Sequence, residues 1–338
     1  AKDIMTKQPI VISRFAYYYD AISLILLKGI KHLPVVENKE VIGIVTMSDL
    51  LRKKNESVMK TIKKIQSADG QSLPAVKEAI YTLLDTFLRE NVPGSKILEI
   101  ITTLFDRLTI RAVELAEKVL EEQGFQKPGS FAFYVMGSAG RGEQFMLTDQ
   151  DHFLVYDSAD STYFKMLGEK ITDYLEKAGY ARCKGLMMCC ESSWRGTVKD
   201  WQNRLNSWAL RATNENLLLA QNFFSYRFIA GDEALNSRFE KLILEALHSS
   251  KIFLYRLSQV ERTHPIPDVD GPIRSLFRLE RKSIDMKKEV LFPYHHSLQI
   301  LSLLHDVSSG ASLEKIDKLA EKGVFSSSFL QDLKDAAD

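Results

Sequence analysis

At 338 residues the chain is long enough for two or three domains, and a 45% apolar content is ample for real cores. Forty-five Lys and Arg oppose forty-four Asp and Glu, a net charge of +1 that argues against general nucleic-acid binding and against a charged membrane-surface role. No apolar run approaches the roughly 20 residues needed to span a bilayer, and no signal peptide is seen. The cysteines Cys183, Cys189 and Cys190 offer neither a disulfide nor a zinc pattern and fit reduced, buried thiols of a cytoplasmic protein. The chain opens at Ala1, directly inside a structured pattern, as expected of a fragment of a longer polypeptide.

In chain order, residues 1–57 predict a small α/β unit. It has a strand at Pro9–Ile12, a helix at Tyr17–Gly29, strands at His32–Val36 and Val41–Val45, and a helix capped by Ser48. Residues 58–75 fall in a polar, partly helical stretch (Lys53–Pro74) that predicts a linker. Residues 76–125 carry helical stripes such as Leu83, Leu84, Phe87 and Leu88; Ser95 caps a second helix that runs to Gly124. These long helices are expected to bundle with the C-terminal domain. Residues 126–212 switch to strand periodicity around a glycine-rich turn, with a helix at Ser161–Lys177 and a short strand near Lys184–Cys190. Residues 213–338 read as mostly helical, interrupted at Gly231, Pro265–Pro267, Gly271-Pro272 and Pro293.

The chemistry is concentrated in residues 131–157. A hydrophobic strand, Phe131–Met136, runs into Gly137-Ser138-Ala139-Gly140-Arg141-Gly142-Glu143, then Thr148-Asp149-Gln150-Asp151 and a second strand. Glycines at a strand-to-helix turn let backbone amides approach an anion, and the helix dipole favours it. Ser138 adds a hydroxyl and Arg141 a guanidinium fork suited to phosphate. Asp149 and Asp151 flank one residue, so a strand places both carboxylates on one face, roughly 6–7 Å apart. Two hard oxygen anions in that arrangement suit Mg²⁺ (or Mn²⁺) carrying a triphosphate. The lysine of a GxxxxGK[ST] phosphate loop is missing.

This constellation resembles the polymerase-β nucleotidyltransferase superfamily, in particular the bacterial nucleotidyltransferases related to PII-protein uridylyltransferase. Ser193-Trp194-Arg195, the run Asn222–Arg227 with Gly231-Asp232, and Asp285-Met286-Lys287 resemble further blocks of that family. The resemblance implies a Mg²⁺-dependent transfer of a nucleoside monophosphate from an NTP to a protein or small-molecule acceptor. Asp149, Asp151 and Arg141 would be the catalytic residues, and Gly137, Ser138, Arg141, Glu143 and Lys287 the nucleotide-binding ones. The sequence departs from the family at His152, where Asn is usual, and at Ser225, where Asp is common. A third carboxylate is also expected on a later strand, and Glu191 is the one acid near it.

Asp3-Ile4-Met5-Thr6, His32–Val36 and Gly43–Leu50 resemble one CBS motif, half of the usual pair. In that family Thr46 and Asp49 would contact an adenosine nucleotide; equally, they would cap a helix. The implied architecture is α+β / α/β: a CBS motif, a transferase domain on a small mixed sheet, and a C-terminal helical substrate-binding domain. A nucleotide-sensing signalling protein with a degenerate transferase site is the alternative. A lone CBS motif leaves apolar side chains among Ile22, Leu24, Ile25, Leu26, Val41 and Ile44 uncovered, which predicts a homodimer through residues 1–57 unless residues 76–124 fold back over them. Six basic residues in Arg274–Lys288 read as a solvated face or as a wall of the site. His295, His296 and His305-Asp306 lack the order of a metal phosphohydrolase.

Overall fold

The structure, a computed structural model, describes residues 9–38, 40–47, 49–50, 56–90, 92–211, 213–262 and 285–337. Asp3–Thr6, Ser48, Pro265–Pro267, Gly271-Pro272, Arg274, Arg278, Arg281 and Lys282 lie outside the described residues.

The N-terminal unit is a three-stranded sheet of β1 (Ile12–Ser13), β2 (His32–Glu37) and β3 (Glu40–Thr46), with β1 parallel and β3 antiparallel to β2. Helix α1 (Tyr18–Lys28) has two buried faces. Ala21 and Ile25 pack with Ile12 and Leu33 in the unit's own core. Ile22 and Leu26 instead join the large core built by α2 (Glu56–Ser67), α3 (Leu73–Arg89) and α4 (Gly94–Glu122). Polar contacts follow the same seam: Ser23 Oγ donates to Glu99, Lys96 pairs with Asp20 at 2.8 Å, and Arg107 donates to the Leu26 carbonyl at 3.0 Å. Most of the helix surface that a missing CBS partner would cover is therefore covered within the chain. Val41 and Ile44 on β3 stay 63% and 60% exposed. The stretch read as a linker contains α2, whose Ile62 and Ile65 are buried, so it is part of the core.

The central sheet has the order β8-β6-β4-β9. Strands β4 (Phe131–Val135) and β6 (His152–Tyr156) are antiparallel and buried throughout. The period of two sends alternate side chains to opposite faces. Phe131, Phe133, Val135, Leu154 and Tyr156 face α3, α4 and α6 (Thr162–Ala178). Ala132, Tyr134, Phe153 and Val155 face Trp201, Phe223, Tyr226 and Phe239. Tyr134 stacks on Phe153 with ring centroids 4.5 Å apart. That second face is closed by α7 (Val198–Arg211), α8 (Asn214–Phe223), α9 (Glu233–His248), α10 (Lys251–Arg262) and α11 (Phe292–Leu304). Beyond them lie α12 (Ser312–Glu321) and α13 (Ser327–Ala337).

Three expectations need correction. The helices of residues 76–124 do not bundle with the C-terminal helices; their apolar stripe is spent on the sheet and α6. No strand forms at Lys184–Cys190, where Gly185 lies in a turn and Leu186 takes φ 55°, a left-handed conformation incompatible with extended pairing. The chain there instead makes β7 (Ala181–Arg182), parallel to β5 (Asp149–Gln150), and β8 (Arg195–Thr197), parallel to β6. Finally, the mostly helical reading of residues beyond 213 misses β9 (Arg227–Gly231), the strand that pairs with β4. Among the described residues, no helix is long and apolar enough to cross a membrane.

Candidate nucleotide and metal site

The site grows from the end of β4. Met136 N–H donates to the Asp151 carbonyl at 2.8 Å, which locks the strand's exit against the D-x-D segment. Gly137 then takes φ +61°, and a Cβ there would stand 3.0 Å from Asp151 Oδ2, so glycine serves both the turn and the close approach. One helical turn follows, α5 (Gly137–Gly140). Gly140 presses on β9's approach so tightly that a Cβ would fall 1.8 Å from the Ser225 carbonyl oxygen.

The turn's amides are not all free. Gly137 N–H donates to Ser225 Oγ at 3.0 Å, so the serine standing at the family's Asp position engages the first amide. Ser138 and Ala139 follow, and among the described residues their amides have no protein acceptor. These two amides and the Ser138 hydroxyl form the available anion cradle.

Arg227 fixes the cradle from behind. Its guanidinium makes a two-pronged pair with Asp106 of α4 at 2.8 and 2.9 Å and donates to the Ala139 carbonyl at 2.7 Å. Thr102, one turn earlier on α4, donates to the carbonyls of Gly142 and Gln144 at 3.2 and 2.9 Å. Nothing local points to Asp106 as the partner of Arg227, because the pair joins residues 121 apart.

Asp149 is exposed on β5, and Asp151, two residues on, is half-buried. Burial pushes the Asp151 carboxyl above the ordinary carboxylate range. The Cys183 thiol opposes this by hydrogen bonding, neighbouring Asp149 adds to it, and Arg141 counteracts. Among the described residues Asp151 Oδ1 is buried without a hydrogen-bond partner. A cavity of about 20 Å³, room for one water or one cation, lies among Ser138, Gln144, Asp149 and Asp151. An orphaned carboxylate oxygen, a second carboxylate and an ion-sized space fit a hard divalent cation.

The third carboxylate is not in place. Glu191 is the N-cap of the 3₁₀ turn Ser192–Trp194, beside the Cys190 thiol, and does not join the two aspartates. Among the described residues no three His, Cys, Asp or Glu side chains stand close enough to hold a metal. The group that meets Asp151 from the β7 side is Cys183, whose thiol is pushed up to about 11 by burial and by its hydrogen bond to Asp151.

The remaining sequence candidates fall into separate places. Arg141 is paired with Glu143 at 3.0 Å, and Glu143 also meets His295 Nε2 at 3.2 Å, so Glu143 positions Arg141 and lies where it would repel a phosphate. Lys287 is exposed, its ammonium 5.8 Å from the Phe292 ring centroid, with no contact to the glycine turn among the described residues. Thr46 and Asp49 make a reciprocal cap: Thr46 N and Oγ1 donate to Asp49 Oδ2 at 3.0 and 2.6 Å, and Asp49 N donates to Thr46 Oγ1 at 3.2 Å. All three thiols are free, with Cys183 and Cys189 buried.

His152, at the family's Asn position, is fully buried. Cys189 N–H donates to its Nδ1 at 3.1 Å, which leaves the proton on Nε2, 3.0 Å from Gln150 Oε1; the Gln150 amide in turn donates to the Thr172 carbonyl at 3.2 Å. The histidine therefore ties the D-x-D segment to α6 and to the 187–189 loop.

Three family models match the chain in succession. Residues 1–56 match the model described as CBS domain, residues 78–215 the one described as "Putative nucleotidyltransferase DUF294", and residues 251–338 the one described as "Putative nucleotidyltransferase substrate binding domain". No curated protein matches the chain.

Burial holds His152 at a pKa of about 3, against an ordinary 6.5. Above pH 6.5 the ring is neutral folded and unfolded; as the pH falls towards 3 only the unfolded state takes the proton, so stability drains away. His295, held at about 3 chiefly by burial, adds a second such contribution. Denaturant titrations of wild type and His152→Gln between pH 6.5 and 4.5 should differ in slope by about 1.4 kcal/mol per pH unit, the variant being flatter. Equal slopes would contradict the buried neutral histidine.

Proposed function

We propose that this chain, built of a CBS domain, a nucleotidyltransferase domain and its substrate-binding domain, transfers a nucleoside monophosphate from an NTP to an acceptor hydroxyl. The carrying observation is the pairing of a cradle of unengaged amides at Ser138 and Ala139 with an orphaned carboxylate oxygen of Asp151, close to Asp149. Asp149 and Asp151 would hold Mg²⁺ or Mn²⁺. Bound there, the cation supplies charge neutralisation to the triphosphate and its leaving group. Ser138 and the two amides hold the distal phosphates, and Arg141, oriented by Glu143, balances their charge. The acceptor oxygen bonds to the α-phosphorus and its proton passes to solvent, as the bond from that phosphorus to the oxygen bridging to the β-phosphate breaks and pyrophosphate leaves.

A second reading, a nucleotide sensor without turnover, is favoured by one observation: Cys183 rather than a carboxylate meets Asp151, and no base is supplied by a third acid. Incubation with α-labelled NTPs, Mg²⁺ and cell extract separates the two. The transferase reading expects labelled acceptor and released pyrophosphate from wild type, and a loss of about 10³-fold or more in Asp149→Asn. Tight MgNTP binding with no label transferred for any of the four NTPs would establish the sensor instead.

The CBS unit is proposed to regulate the site, with an adenosine nucleotide as its ligand at Thr46 and Asp49. Support comes from α4, which touches α1 through Glu99 and Arg107 and the glycine turn through Thr102, and which reaches that turn again from Asp106 by way of Arg227. The exposed apolar face of β3 is proposed to pair with the same face of a second copy, since CBS units work in pairs. Light scattering should give twice the chain's mass, reduced to one by Ile44→Lys; a monomeric wild type would rule the dimer out.

A further inference from the structure

A second cavity, of about 730 Å³ and with Arg141 in its lining, lies between the end of the glycine turn, α8, α10, α11 and α12. It shares no lining residue with the small cavity at Asp149 and Asp151. Its volume is that of a small-molecule site.

Its wall holds an unusual cation. Lys315 of α12 is only 4% exposed, yet among the described residues no carboxylate lies within ion-pairing distance of its ammonium, which donates to the Phe224 carbonyl at 3.3 Å. A buried ammonium with no ion-pair partner is costly unless an anion joins it. Arg141 stands in the same wall, its charge offset by Glu143, and His295 is neutral there. His295 Nε2 stands 3.2 Å from Glu143, and its Nδ1 is buried with no hydrogen-bond partner among the described residues.

Two further groups call for a ligand. Gln221 and Gln299 are 7% and 5% exposed and both line the cavity, yet among the described residues Gln221 Nε2 and Gln299 Oε1 have no hydrogen-bond partner. Gln299 is oriented by its own amide, which donates to the Gln221 carbonyl at 2.9 Å. One free amide donor and one free carbonyl acceptor ask for a ligand with both an acceptor and a donor. Leu217, Leu298 and Phe292 supply apolar wall for its body.

We infer that this cavity binds a small organic anion, a carboxylate or a phosphate ester with a hydrogen-bonding head, whose charge rests on Lys315 and Arg141 and whose head meets Gln221 and Gln299. On the transferase reading, on which this last clause rests, the anion occupies the acceptor side of the reaction, which makes the acceptor a small molecule.

The test uses benzoate and phenyl phosphate as probes, in EDTA, by titration calorimetry on the intact chain. At least one should bind with a Kd below about 1 mM, and which of the two binds tells carboxylate from phosphate. Lys315→Met should weaken it at least about ten-fold, equivalent to about 1.4 kcal/mol. Asp149→Asn should leave it unchanged even if no nucleotide is ever transferred, so failure of the transferase reading and failure of this one are distinguishable. Replacing a buried charge by an apolar side chain of similar length spares the fold. Should Lys315→Met not fold, wild type alone decides. Burial, aided by Arg141 and Lys318 and opposed by Glu143 and Glu314, brings Lys315 down to about 8. Both probes keep constant charge above pH 7.5. Affinity should therefore fall as the pH rises from 7.5 to 10. Absence of binding, indifference to Lys315→Met, a flat pH profile, or loss of binding in Asp149→Asn would each overturn the inference.

Discussion

Everything in the candidate site hangs on the pair between Arg227 and Asp106. It joins the strand that closes the central sheet to the long helix that floors it, and its third prong holds the Ala139 carbonyl. Both side chains are about one-fifth exposed, so the pair is screened little by solvent, and its two-pronged geometry fixes direction as well as distance. With β9 so anchored, Ser225 reaches the Gly137 amide and Gly140 lies flat on the Ser225 carbonyl. A side chain at position 140 would push the turn off this support. The cradle at Ser138 and Ala139 is thus shaped by residues about 90 positions further along the chain as much as by its own glycines.

Arg141 divides the site into two electrostatic compartments. On one side two carboxylates crowd an ion-sized space, and Asp149 adds to the cost of ionising Asp151; on the other a lysine is buried with no carboxylate in ion-pairing distance among the described residues. The guanidinium lowers the pKa of Asp151 and also those of His295 and Lys315. One charge therefore favours an anionic aspartate on one face and discourages positive charge on the other. Joining the glycine turn to the C-terminal domain, the Arg141 carbonyl accepts from Ser312 N–H at 2.9 Å, and Gly142 leaves room for Ala311.

Local features were legible in the sequence and assembled ones were not. Gly137, Ser138, Asp149 and Asp151 are read directly, because a glycine turn and a D-x-D pair place their groups within one short segment. The alternation in Phe131–Val135 and His152–Tyr156 foretells their strands, although both sheet faces are covered and little polarity marks either. Residues 184–190 look extended by composition, yet a turn at Gly185 and the left-handed Leu186 defeat pairing. Helical stripes in residues 76–124 reveal that a face is buried and are silent on its partner, which is the sheet and α6 and not the C-terminal helices. Lys315, Gln221 and Gln299 come from separate helices and carry no local signature. His152 reads as a departure from the family, and only the Gln150 and Cys189 contacts show that it has a structural role.

The central claim is that Asp149 and Asp151 together hold a divalent cation on which a triphosphate rests. A crystal structure with Mn²⁺ and an α,β-methylene NTP analogue tests it most directly, since Mn²⁺ is located by its anomalous signal. The account predicts an anomalous peak about 2.1 Å from an oxygen of each carboxylate, with the distal phosphates on the Ser138 and Ala139 amides. Nucleotide bound elsewhere, or a peak that touches neither aspartate, would contradict it.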